Sequence, residues 1–318
     1  MEFLNYLLPE EAGEMTLAQV ARLRQIEQRL RLLFETAKYQ EVMPPNFEYV
    51  ELYDSLKTGF ASEKMFQFIN HEGKSIALRY DFTIPLARTY AQSGEFGLTR
   101  YAYFGKVFRK ERRHKGRRTE SYQIGVELLG GTKVDTDREC LDLILKAIEK
   151  LPLSPVILEL GSADFFKRLC ELVGNHASEL TELLSKKNLS GMKRFVEENQ
   201  FSPSFSRLLT ELSVNTDLTV LSNLVQETLD EPLITAVRDL IEIAEQLDVV
   251  IDFGMVPAMH YYTGLMFKAY SDKVAQPLIS GGRYDDLLTQ FHCESSAIGF
   301  CCHMDNILKA WEQEVQND

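Results

Sequence analysis

Two strand-forming stretches, about Arg100 to Arg109 and Thr119 to Leu129, are joined only by a short charged loop, so they must return on each other as an antiparallel hairpin. Side chains alternate on a strand. Tyr101, Tyr103, Gly105, Val107 and Arg109 therefore share one face of the first strand, and Gln123, Gly125 and Glu127 one face of the second. Each face carries a central glycine beside polar groups. Glycine weakens a strand interior, so such a pair points to close approach of a ligand, flanked by Gln123 as an amide and Glu127 as an anion. The alternative is a solvated sheet face on which Gln and Glu are incidental.

The chain around this hairpin alternates helix and strand. A 3.6-residue apolar repeat predicts a helix from about Leu17 to Ala37, with Thr16 and Gln19 in capping-box positions. The extended segment Glu41-Val42-Met43 follows, and it must stop at Pro44 and Pro45, which cannot donate to a ladder. Strand (Ser75 to Asp81) and helix (Thr83 to Gln92) precede the hairpin; helix (Asp135 to Lys150) and strand (Val156 to Leu160) follow it. Asp164 to Leu247 reads as helical throughout, punctuated at Gly174, Ser190-Gly191, Pro203 and Pro232. Strands return at Val249 to Phe253, Tyr261 to Tyr270, Pro277 to Ser280 and Ala297 to Cys302, before a last helix from about Met304 to Glu314. The expected class is α+β: a mostly antiparallel sheet flanked by helices, with a helical insertion. The domains predicted are a core of residues 1–163 and 248–318 and an insertion of residues 164–247.

With 318 residues, 45% of them hydrophobic, the chain can bury a core large enough for one large domain and a smaller one. Met1 to Glu14 has neither a basic n-region nor a long apolar run, so no signal peptide or membrane span is expected and the cytoplasm is the default location. The five cysteines show no C-x-x-C spacing, and His260, His292 and His303 have no ligand-like spacing with carboxylates, so neither a metal site nor a cofactor is expected. The net charge of −12 argues against a surface built to embrace a polyanion such as tRNA. Against that acidic background, the loop Arg109 to Arg118 carries seven Lys or Arg in ten residues. It reads either as a seat for phosphates or an acidic partner, or as a solvated hairpin tip. A third cluster, His260-Tyr261-Tyr262-Thr263-Gly264 with Gly281-Gly282-Arg283-Tyr284-Asp285, suits a small planar polar ligand or an ordinary tyrosine-containing core.

Taken in order, these segments resemble class II histidyl-tRNA synthetases over nearly the whole chain. The helix and strand ending at Pro44 resemble motif 1, and RYAYFGKVFRKERRHKGRRTESYQIGVE (Arg100 to Glu127) resembles motif 2. ALRYDFTIPLAR (Ala77 to Arg88), MHYYTGLMF (Met259 to Phe267) and GGRYDDLL (Gly281 to Leu288) resemble the amino-acid-binding segments, and AIGFCCHMDNIL (Ala297 to Leu308) motif 3. The resemblance implies a histidine site in which Asp81, Thr83, Gln123 and Glu127 hold the α-amino end, Arg109 faces the carboxylate or a phosphate, and Tyr262 and Tyr284, with Tyr261 beside them, line the imidazole.

The resemblance fails where adenylation is done. Pro257 stands where the family's histidine segment has an arginine, Asn306 where motif 3 has its ATP-clamping arginine, and His303 where it has a glycine. Neither proline nor asparagine supplies the positive charge that an activated carboxylate or a phosphate needs. The chain also ends where a synthetase would begin its anticodon-binding domain. A synthetase-like body so altered resembles the regulatory subunits of short-form ATP phosphoribosyltransferase, the first enzyme of histidine biosynthesis. That resemblance implies a non-catalytic subunit that activates a short catalytic subunit, takes L-histidine as effector for feedback inhibition, and self-associates within a hetero-oligomer, without tRNA or membrane. The rival expectations are an active histidyl-tRNA synthetase core and a pseudo-synthetase that senses tRNA or histidine.

Overall fold

The computed structural model describes residues 12–56, 62–94, 96–110, 118–212, 217–245 and 247–317. Its contacts divide the chain into two compact units, one of residues 1–156, 270–281 and 285–318, the other of residues 157–269 and 282–284.

In the first unit, helix α1 (Leu17–Thr36) begins at a reciprocal capping box between Thr16 and Gln19 and buries Leu23, Ile26, Leu30 and Phe34 along one stripe. Each such burial contributes roughly 1.5–3 kcal/mol. The turn after α1 places Lys38 at a left-handed φ of 68° and feeds strand β1 (Gln40–Glu41), which runs parallel to β5 (Thr99–Phe108). The strand ends at Glu41, earlier than the expected segment Glu41-Val42-Met43, and Val42 N makes one more bond to Ala102 O before Pro44-Pro45. A small sheet follows, of which only the central strand was expected: β2 (Phe47–Tyr49) and β3 (Gln67–Ile69) pair antiparallel on either side of β4 (Ser75–Leu78), which ends three residues before the predicted Asp81. Helix α2 (Val50–Asp54) separates β2 from β3, and α3 (Thr83–Ser93) ends at Gly94, whose φ of 71° suits the left-handed cap.

The predicted hairpin is present. β5 and β6 (Glu120–Leu129) pair antiparallel from Thr99↔Leu129 to Phe108↔Glu120, and β11 (Ala297–His303) pairs antiparallel with the other side of β6. Strands of this unit follow the order β1-β5-β6-β11-β10, where β10 is Val274–Arg283. Helix α4 (Lys133–Lys150) is capped by Thr132, α11 (Asp285–Gln290) precedes β11, and α12 (Met304–Asn317) leaves its end. One face of β5, β6 and β11 meets α1, where Phe34 lies 6.2 Å from Phe104 and 6.1 Å from Phe300. Side chains alternate with these phenylalanines, so Tyr103, Gly125 and Cys301 point to the opposite face.

The second unit holds β7 (Val156–Ser162), β8 (Val250–Ile251) and β9 (Leu265–Ser271) in the order β9-β7-β8, with β7 and β8 parallel. Its helices are α5 (Ala163–Val173), α6 (Ala177–Ser185), α7 (Leu189–Asn199), α8 (Pro203–Glu211), α9 (Leu218–Glu227) and α10 (Glu231–Ala244). Pro203 and Pro232 fall in first turns, where a missing N–H costs nothing. Ser190-Gly191, read as a break, instead lies inside α7. The chain breaks at Lys187, with φ 46°, and the Asn188 side chain caps the Gly191 N–H. The strand expected from Tyr261 begins only at Leu265, because Gly264 sits at φ 80°. The strand expected over Val249 to Phe253 shortens to two residues, where Asp252 turns the chain by accepting from Gly254 N.

Among the described residues no helix is long and apolar enough to cross a membrane, and no group of three or more His, Cys, Asp or Glu could hold a metal ion. None of the five cysteines is in a disulfide.

Candidate functional site

The register places the candidate residues of the first unit in three cross-strand rows. Tyr101, Glu127 and Gly299 form one row; Tyr103, Gly125 and Cys301 the next; Gly105, Gln123 and His303 the third. Two of these glycines, Gly105 and Gly125, were read as places where a ligand approaches the backbone; Gly299 was not. Here the protein's own groups make that approach. A Cβ on Gly299 would strike the Glu127 carboxylate, one on Gly125 the Tyr103 hydroxyl and the Phe300 carbonyl, and one on Gly105 the Phe82 ring. The rings of Phe82 and Tyr103 stack at 4.1 Å and 11°, and with Leu86 and Val107 they form an apolar cluster on this face. The glycines thus admit the floor of the site, a role the alternation pattern could not reveal.

The acids stand at one end of this floor. Glu127 is 2% exposed and accepts a 2.8 Å hydrogen bond from the Thr83 hydroxyl at the start of α3. Asp81, 3% exposed, accepts from Ile84 N at 3.2 Å across the first turn of the same helix, where a negative charge is favoured. Burial, with the charge of Asp81 nearby, pushes the Tyr53 phenol well above its usual range. Two residues upstream, the buried Arg79 donates to the carbonyls of Pro44 (2.8 Å), Pro45 (3.1 Å) and Lys106 (2.8 Å), and its guanidinium stacks on Phe82 at 3.9 Å. Burial holds its pKa below the usual arginine value. Arg79 ties the prolines, β4 and β5 together around the site; its only trace in the sequence is a cation inside an otherwise apolar strand.

Arg109 continues the β5 ladder past Phe108, with its N–H donating to Thr119 O. Its Nε donates to Tyr80 O at 2.9 Å, and its guanidinium lies 4.7 Å from the Tyr80 ring centroid, so the cation is held beside the segment that carries Asp81. Gln123 is buried between Gly105 and His303. Residues 111–117 of the basic loop lie outside the described residues.

Motif 3 adds a cluster that sequence reasoning missed. The His303 Nε2 and the Ser280 hydroxyl of β10 are hydrogen-bonded at 2.8 Å, and the Cys301 thiol lies 3.6 Å from the same nitrogen. Desolvation, helped by the Arg109 cation, pulls the His303 pKa down to about 4. Burial pushes the Cys301 thiol up to about 12, so it is no nucleophile at neutral pH. The Asn306 amide donates to Pro277 O at 2.8 Å.

The tyrosines form a cluster within the second unit. Tyr261 packs edge-on against Tyr262 (5.5 Å, 87°) and Tyr284 (6.0 Å, 72°), and all three are buried. A bond from Thr263 N to Arg283 O at 2.7 Å joins the two tyrosine segments, and Arg283, named in that cluster without a role, is a buried cation, 2% exposed. His260 is exposed.

Fold and side-chain set together define a class II aminoacyl-tRNA synthetase-like protein with a histidyl-type core, and residues 12–307 match the family described as Histidyl-tRNA synthetase. A relative from Lactococcus lactis subsp. lactis (strain IL1403) is named ATP phosphoribosyltransferase regulatory subunit; it is 56% identical over 326 residues, spanning 100% of this chain and 99% of its own length. A protein of the same name from Listeria monocytogenes (EGD-e) is 29% identical, over 96% of this chain and 79% of its own. The crystal structure of an ATP phosphoribosyltransferase regulatory subunit/histidyl-tRNA synthetase from Bacillus halodurans C aligns at a TM-score of 0.83 and 26% identity, covering 96% of this chain and 83% of that one. The chain belongs to the ATP phosphoribosyltransferase regulatory subunit family.

Proposed function

We propose that the chain is a non-catalytic subunit that binds free histidine at the Asp81–Glu127 site, activates a short ATP phosphoribosyltransferase catalytic subunit, and lets histidine limit that activation. The observation that carries the ligand reading is the pair of buried carboxylates at the start of α3, Glu127 on the Thr83 hydroxyl and Asp81 on Ile84 N, beside a sheet face that ends at Arg109. An ammonium suits the acidic end and a carboxylate the arginine, which is the charge pattern of a zwitterion. The synthetase resemblance assigns the ring of the amino acid to Tyr262 and Tyr284, with Tyr261 beside them, and Gln123 to its amino end. The partner reading rests on the name of the relatives. Self-association within the hetero-oligomer, a cytoplasmic location and independence of tRNA and membrane belong to the same proposal.

Lack of adenylation is supported by what occupies the altered positions. Activating a carboxylate with ATP requires positive groups on the phosphates and on the developing charge. Pro257 has none, the Asn306 amide is engaged by Pro277 O, and His303 is neutral at pH 7.

Three measurements test the proposal. Calorimetric titration should show stereospecific histidine binding, and Glu127→Ala should weaken it by about 1.5–3 kcal/mol, roughly one to two decades in affinity. Histidine-dependent exchange of pyrophosphate into ATP should be absent; exchange at enzymatic rates would establish a synthetase instead. Adding the chain to a short catalytic subunit should raise phosphoribosyl transfer, with histidine reversing the gain. Inhibition that persists unchanged in the Glu127→Ala complex refutes the assignment of the effector site.

A further inference from the structure

In the orientation just proposed, on which this inference rests, the ligand's ammonium meets Asp81, Thr83 and Glu127 and its carboxylate points toward Arg109. Any group attached to that carboxylate, in an ester, an amide or a mixed anhydride with phosphate, must extend beyond the arginine over the adjoining strands. One strand across from β6, the register puts His303 opposite Gln123 and Cys301 opposite Gly125. The imidazole there is not a loose surface group. It is fixed to Ser280 on β10 by the 2.8 Å hydrogen bond, with the Cys301 sulfur 3.6 Å from Nε2 and 3.9 Å from Nδ1. Three residues on, Asn306 is tied to the same strand β10 through Pro277 O. Two side chains therefore bind the end of β11 and the first turn of α12 to β10, which leaves the ring little freedom to swing aside. Its low pKa makes it an uncharged body near Arg109 at neutral pH, filling space without competing for the cation.

We propose that His303, pinned by Ser280, closes the carboxylate end of the site and restricts it to free α-amino acids, excluding ligands whose carboxyl carries a substituent. A fixed ring in packed surroundings rejects added volume because neither the ring nor the backbone strands behind it can yield without losing contacts. The site then reports the free amino acid and ignores its esters, amides and acyl-adenylates, which suits a sensor of the unmodified end-product class.

The test separates bulk from charge. Histidinol and histidine methyl ester both lack the carboxylate's negative charge, and they differ in the size of the group past the α-carbon. A non-hydrolysable acyl-sulfamate analogue of histidyl-adenylate keeps a negative charge and adds the largest substituent. Calorimetry on the full chain should show the ester and the sulfamate binding about tenfold or more weaker than histidinol and histidine respectively. His303→Gly should bring each pair to within about threefold, a residual no larger than ordinary contact differences. Ser280→Ala, which unpins the ring without removing it, should lie between wild type and His303→Gly, and it serves as the readout if the glycine variant does not fold. Wild type that binds ester and histidinol alike overturns the inference, as does discrimination that survives in both variants. Wild type that binds no histidine at all overturns the amino-acid reading and this inference with it; histidine binding without discrimination overturns this inference alone.

Discussion

Acid should destabilise this protein through His303 by an amount that can be worked out. Its pKa falls from 6.5 to about 4 on folding, so between those values the unfolded chain binds a proton that the folded chain refuses. The contribution of His303 to stability is therefore fully present above pH 6.5 and is lost as pH falls toward 4. Linkage gives a loss of about 2 kcal/mol at pH 5 relative to pH 8, rising to about 3 kcal/mol below pH 4. Other groups act in the opposite direction. Burial raises the pKa of Asp305 and of Glu159, so acid stabilises the fold through them, and the bare pH profile of wild type is not diagnostic. The diagnostic quantity is the stability difference between wild type and His303→Gln, a variant that keeps a partner for Ser280 and cannot titrate. Trp311, the single tryptophan, lies on α12 in the same unit as His303, so its fluorescence during urea unfolding follows the relevant structure. The wild-type-minus-variant difference should move by about 2 kcal/mol against wild type between pH 8 and pH 5. A difference that stays constant across that range, or an NMR titration that places the His303 imidazole near its ordinary pKa, refutes the reasoning.

Three further outcomes follow from contacts outside the titration argument. Gly125→Ala drives a methyl into the Tyr103 hydroxyl and the Phe300 carbonyl, and the strand side of that clash cannot move; urea midpoints should report a loss of about 1–3 kcal/mol, where an unchanged midpoint contradicts the packing. Arg79→Met keeps much of the side-chain length but abandons three carbonyls, and should cost about 3 kcal/mol by the same assay, with hydrogen exchange rising at β4; near-neutrality would mean the bonds contribute nothing net. Asp230 both caps α10 and pairs with Arg168, so Asp230→Ser should retain most of the cap and Asp230→Ala should lose about 1 kcal/mol more, measured as a difference in unfolding free energy. The Arg168 guanidinium holds the Asp230 carboxyl below its usual range, so that pair's contribution is present above the unfolded carboxylate pKa and is lost as pH falls through the lower folded value.

The long elements were legible because their signals are local and redundant. The capping box at Thr16 and the α1 stripe specify a start and a buried face independently, and both hold in the structure. The β5–β6 hairpin was legible for the same reason: two strands joined by one loop can pair in few registers. The small sheet was legible only in β4, read as a strand from Ser75. The other two strands, β2 and β3, have three residues each and expose Phe47, Tyr49, Phe68 and Ile69, so no apolar buried face imposes the alternation that identifies a strand there. The α7 start was misplaced because Ser190-Gly191 reads as a turn by composition, while the real break needs a left-handed Lys187, a residue type with no preference for that conformation.

Within the site, composition and alternation found the groups that a strand displays but not the groups that reach it from elsewhere. Gln123 and Glu127 share a face of one hairpin strand and Arg109 lies on a face of the other by counting in twos, and the register then brings those faces to the same side. Asp81 and Thr83 were found only by resemblance, since an Asp two residues before a Thr at a helix start is equally an ordinary end of a helix, and part of Asp81's work is in fact to hold the first turn of α3. Arg79 and Ser280 were missed, since each acts through a partner far away in sequence. No window of local sequence contains both Arg79 and Pro44, or both Ser280 and His303. The same limit governed the glycines: alternation predicted that something must come close to the backbone at Gly105 and Gly125, and chemistry suggested a ligand. Only the long-range packing of Phe82 and Tyr103 shows that aromatic rings take those places. On the proposed reading, a ligand meets a floor already built by the protein and is held at its edges, by Glu127 and Asp81 at the start of α3 and by the cation at Arg109.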